Sequence, residues 1–144
     1  MSRRSRLEDA ITMGKPSLCD DTYNRLRSIL EMGFSRLFGQ VAGSVAGLRT
    51  SFDHSWNDAY PFRGVAEYFV SNDVIVVVSF DVRRISGAME ILGDIMLEGG
   101  LSLTEILNLR VEDGPNRDGR LIAAAHEFAS ACMDRADLIV QKLG

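Results

Sequence analysis

The chain has 144 residues, 46% hydrophobic and 25% charged, the balance of one globular domain and far from the polar, highly charged composition of disordered chains. Sixteen Lys and Arg stand against 20 Asp and Glu, a formal net charge of -4, which repels a phosphate backbone and argues against nucleic acid as the ligand. No uninterrupted apolar run reaches the ~18 residues of a membrane span, because Arg36 and Gln40 divide the most apolar helical region and Asn72–Asp73 precede the Val-rich one.

Arg3, Arg4 and Arg6 form the one basic cluster, and Glu8 and Asp9 follow it. Without the 7–15-residue apolar core of a signal peptide, residues 1–18 read as a flexible arm on a cytoplasmic protein. Cys19 and Cys132 are far apart and lack zinc or redox spacing, so they read as reduced thiols, Cys132 as a small buried hydrophobe. From Tyr23 the apolar positions Leu26, Leu30, Phe34, Leu37, Val41, Val45, Leu48 and Phe52 recur at spacings of three and four, which predicts a long amphipathic helix capped by Asp20, Asp21 or Thr22. Gly39, Gly43 and Gly47 would form a smooth strip on it, suited to a close helix crossing, a self-association face, or a break near Gly39.

Residues 50–63, TSFDHSWNDAYPFR, lose the periodicity and read as a structured loop. GVAEYFV and VIVVVSFDV, separated by Ser71-Asn72-Asp73, predict an antiparallel hairpin. Its second strand, apolar throughout Val74 to Val78, is expected at the centre of the sheet with both faces buried. The segment 85–98 mixes strand and helix spacing, and a third meander strand is assigned to 85–92. Ser102 and Glu105 suggest a capping box that opens a short helix, and the apolar positions from Arg120 to Leu143 predict a long final helix. The expected fold is one α+β domain over residues 1–144, an antiparallel meander of three or four strands packed against a long N-terminal and a long C-terminal helix.

Catalytic and metal motifs are missing from this sequence. His54 and His126 are the only histidines, no Gly-x-Ser-x-Gly elbow or phosphate loop accompanies them, and His126-Glu127 lacks a second zinc ligand. No cofactor is therefore expected. The densest concentration of recognition chemistry is Asp53, His54, Trp56, Asp58, Tyr60 and Arg63, polar-tipped aromatics beside carboxylates. These residues either form a binding site or close over the core, with Trp56 and Phe62 plugged inward and the acids solvated.

The order of a helix, a hairpin with YFVSNDVIVVVSFDVR, a further strand, an SLTEILNL helix and a long terminal helix resembles, over residues 64–143, small bacterial immunity proteins of toxin–immunity systems. The resemblance lies in layout and carries over no site residue. It implies an uncatalytic protein-binding module that neutralises a cognate toxin through an acidic surface. Two alternatives stand beside it: a small-molecule binder or enzyme using the 53–63 segment, and a structural homodimer.

Overall fold

The computed structural model describes residues 18–144; the expected arm, apart from a buried Leu18, lies outside the described residues. Helix α1 spans Asp20–Ala42, with Asp20 and Asp21 at its positive end, and buries Leu26, Leu30, Phe34, Leu37 and Val41 along one stripe. It stops ten residues before Phe52. Gly43 caps it, and the amides of Ser44 and Val45 both bond the Val41 carbonyl. Val45 and Leu48 stay buried because the chain doubles back along the same core, so the apolar spacing outlives the helix. Gly39, Gly43 and Gly47 therefore share no helix face: Gly43 is the cap, and Gly47 turns the chain at φ 75°.

Five strands follow, β1 (Arg49–Ser55), β2 (Phe62–Phe69), β3 (Ile75–Ile85), β4 (Ala88–Leu97) and β5 (Leu101–Glu112). They form one sheet in chain order, antiparallel at every step. The predicted hairpin is β2–β3, with β3 at the centre, and the third strand assigned to 85–92 is β4, which starts at Ala88, because Ile85 still belongs to β3 and Ser86-Gly87 make the turn, and runs on to Leu97. One face of β3 is fully buried at Val76 and Val78, whereas Ile75 and Val77 on the other face are half-buried. The sheet has five strands where three or four were expected, and three further expectations are corrected. The 50–63 loop contains an edge strand, β1, whose positions are nearly all exposed and so lack apolar alternation. The SLTEIL segment is not a helix but the start of β5, where two register irregularities against β4 break the period of two. The long final helix is two helices, α2 (Arg117–Asp134) and α3 (Ala136–Leu143), separated at Arg135, whose amide bonds back to Cys132.

All three helices lie on one side of the sheet. Phe62, Ala66 and Tyr68 of β2, Val76, Val78, Phe80 and Val82 of β3, and Met89, Ile91 and Ile95 of β4 meet Leu26, Leu30, Leu37, Leu121, Phe128 and Ile139 in one continuous core. Two glycines set the spacing. A Cβ on Gly33 would stand 2.7 Å from Ala129 Cβ, so α1 and α2 cross at near backbone contact, and a Cβ on Gly93 would stand 2.5 Å from the Phe128 ring. Gly93→Ala is expected to destabilise the fold by about 1–3 kcal/mol through overpacking, with Phe128→Leu recovering part of the loss in the double variant. Gly119→Ala, whose Cβ would meet nothing within 4 Å, should instead stabilise by up to ~1 kcal/mol. Urea denaturation of the four proteins checks both signs.

Candidate functional site

The six residues singled out between 53 and 63 are divided by the geometry of a strand. Successive side chains of β1 point to opposite faces. His54, opposite Gly64, turns to the helix side, where its Nδ1 lies 3.0 Å from the Tyr23 hydroxyl. Asp53, opposite Val65, turns to the other face, and its carboxylate accepts the His54 backbone N–H at 2.9 Å. Trp56 packs against the margin of the core. Asn57 shapes the turn, its Oδ1 accepting the amides of Ala59 and Tyr60 at 2.9 and 2.8 Å. Asp58 is left exposed on that turn, which the Ala59 carbonyl ties to β3 by accepting the Arg84 amide at 2.8 Å. Arg63 stacks over the Tyr60 ring at 4.5 Å and donates from Nε to Asp81 Oδ1 at 3.0 Å. Asp53 and Arg63 thus share one groove of about 320 Å³ with Ser51, Ser55, Val65 and Glu67, while His54 and Trp56 lie on the far side of the sheet.

That groove belongs to a larger feature, the sheet face that no helix covers among the described residues. Register orders it in rows across the strands. The central row runs Asp53, Val65, Ser79, Asp94, Glu105. On one side lies Ser51, Glu67, Val77, Met96, Ser102, and on the other Ser55, Arg63, Asp81, Leu92, Asn108. Charge is segregated within it. Arg63 pairs with Asp81, Arg83 with Glu90 and Arg110 with Glu112, whereas Asp53, Glu67, Asp94 and Glu105 have no salt bridge among the described residues. Burial raises the Asp81 carboxyl above its ordinary range against the pull of Arg63. Asp94 is raised by desolvation and then by the neighbouring charges of Glu105 and Asp81.

Sequence reading missed Ser79, Asp94 and Glu105. The available signal was their recurrence as polar positions within apolar strands, and the β5 irregularities concealed it for Glu105. Elsewhere, a groove of about 490 Å³ between α1 and α2 is lined by Ile29, Met32, Met133, Arg36, His126 and Asp134. Burial pushes the Cys132 thiol up to about 12, far from the thiolate needed for reactivity. The exposed Cys19 thiol is lowered by hydrogen bonds from Thr22. Among the described residues no Ser, Thr or Cys side chain hydrogen-bonds a histidine, and no three His, Cys, Asp or Glu side chains cluster as a metal site.

The raised carboxyls fix the sign of a pH effect. A folded pKa above the unfolded one means that protonation favours the fold, so the destabilisation is absent below about pH 3.9, grows as pH rises from there to the folded value, and is fully present above it. Asp94→Asn should therefore stabilise the protein near neutral pH, by less than about 1 kcal/mol because water screens this partly exposed group. The gain should vanish in acid, and urea midpoints of the two proteins from pH 3 to 7.5 measure it. No family model, characterised protein or solved structure matches this chain.

Proposed function

We propose that this chain is a protein-binding module of the immunity or antitoxin kind, which neutralises one cognate toxin by direct binding. The observation that carries the reading is the uncovered sheet face. It spans all five strands, mixes aliphatic side chains with carboxylates, and offers an extended patch rather than an enclosed cavity. Small-molecule sites enclose most of their ligand's surface, whereas protein interfaces take broad patches with an apolar centre and a polar rim. Here Val65, Val77, Leu92 and Met96 supply the centre, and Asp53, Glu67 and Glu105 belong to the rim.

Net charge -4 is the sign that would speed encounter with a basic toxin. An inhibitor also needs a rigid scaffold more than chemistry of its own, and a sheet held along one face by three helices supplies one. The polar residues near the β1–β2 turn serve that scaffold in part, since His54 anchors Tyr23 and Asn57 shapes the turn.

Co-expression with the product of the adjacent gene tests the reading. The expected outcome is restored growth of the host and a stoichiometric complex on size exclusion. Unrelieved toxicity with no complex, or a harmless neighbour that does not bind, would end it. Val77→Arg, at the centre of the uncovered face, should weaken the complex at least tenfold, and Met32→Arg, in the groove between α1 and α2, should leave it intact.

A further inference from the structure

Across the uncovered face, the row Asp53, Val65, Ser79, Asp94, Glu105 breaks a rule that the neighbouring rows obey. Like charges directly opposite on adjacent strands destabilise a sheet, and Asp94 faces Glu105 in register. Two rows away Glu90 lies between Arg83 and Arg110 in register and bonds Arg83 at 3.1 Å, so the same sheet elsewhere places arginine beside a carboxylate. In the central row the cation is missing.

A second observation points to a ligand at the same place. Ser79, between Val65 and Asp94 on this face, is only 5% exposed, and its hydroxyl makes no side-chain hydrogen bond among the described residues. A buried hydroxyl without a partner costs about 1–3 kcal/mol. Ser79 and the opposed carboxylates together present acceptors that a guanidinium or ammonium group would satisfy.

Spacing then defines the partner. Strands lie about 4.8 Å apart, so Asp53 on β1 and Asp94 on β4, three strands on, are roughly 14 Å apart. Between them the row holds Val65, with Val77 beside it. We infer that this face docks a basic segment of a partner protein carrying two cationic side chains about 14 Å apart with an aliphatic side chain between them, one cation meeting Asp53 and the other meeting Asp94, which Ser79 flanks on one side and Glu105 on the other. An extended segment achieves that span with cations four residues apart, on the same side as the residue midway between them, at about 3.4 Å per residue. This deepens the protein-binding reading and rests on it.

The probe is a pair of synthetic peptides of identical composition, one with arginine at its first and fifth positions and leucine at its third, the other with the two arginines adjacent. Binding to the full chain is followed by fluorescence anisotropy at low salt. The spaced peptide should bind at least fivefold tighter than the adjacent one. The Asp94→Asn, Glu105→Gln variant should lose at least tenfold in affinity, and a Glu127→Gln, Asp134→Asn control on α2 should lose less than twofold. Equal binding of the two peptides, or equal losses in both variants, would mean unspecific attraction and overturn the inference. So would self-association through this face, seen as a dimer in light scattering that Asp94→Asn, Glu105→Gln dissolves. Peptide binding that appears only after residues 1–17 are removed would assign the face to the chain's own Arg3, Arg4 and Arg6 and overturn it equally. A captured toxin indifferent to Asp94→Asn, Glu105→Gln would overturn the docking site alone and leave the protein-binding reading standing.

Discussion

The fit of Phe128 over Gly93 sets how closely the helices approach the sheet, and much of the molecule follows from that distance. With no Cβ at 93 the ring lies on the β4 backbone, 5.3 Å from Phe80 and 6.3 Å from Phe34, centroid to centroid, while Phe80 continues to Phe62 at 6.3 Å. Aromatic pairs in this range gain about 0.5–1.5 kcal/mol beyond their buried area, so the chain of rings ties α1, α2, β2 and β3 into one unit. Tyr68 completes it by donating its hydroxyl to the Phe34 carbonyl at 2.8 Å. Burial raises that phenol's pKa and keeps it a donor. Helices held this close cover one face of the sheet only, and polar residues of the inner strands, Glu67, Ser79, Asp81 and Asp94 among them, are turned to the other.

What the sequence discloses is whatever this one-sided burial writes as a period. Helix α1 and the β2–β3 hairpin are legible because their buried residues recur at 3.6 or at two. The pattern misleads where the backbone changes conformation while the chain stays on the same core. Val45 and Leu48 extend the spacing of α1 past its cap, and Ala136 and Ile139 extend that of α2 through the break at Arg135, where neither glycine nor proline marks the change. It fails outright for β5. The register slips beside Asp94 and beside Met96 leave Ile106 and Leu103 without partners on β4 and made an edge strand look helical.

The candidate site was less legible for a different reason. Sequence proximity gathered Asp53, His54, Trp56, Asp58, Tyr60 and Arg63, yet one residue of separation on a strand is a reversal of direction, and Asp53 and His54 part to opposite faces. The row that replaces that grouping draws on five strands, from residue 53 to residue 105. Only register brings Ser79 beside Asp94 and Asp94 beside Glu105, and register is a property of the folded sheet. Two of the six, Asp53 and Arg63, remain on the uncovered face, so composition pointed to one edge of a surface whose extent it did not contain.

The two faces of the sheet answer to different constraints, and the contrast bears on function. On the covered face each local choice agrees with the fold: glycine where backbones approach, aromatic rings where area is needed, a hydroxyl where a carbonyl is reached. On the uncovered face the agreement ends at the central row, where Asp94 and Glu105 oppose each other and the Glu105 charge adds to what desolvation already costs the ionised Asp94. A lysine or arginine at position 105 would remove that cost without touching the core, since Glu105 is exposed and the same sheet uses arginine at 83 and 110. Local rules broken where a cheap remedy exists are the mark of positions held for something other than stability. The fold thus carries an avoidable repulsion at the place where the proposed cationic partner would relieve it.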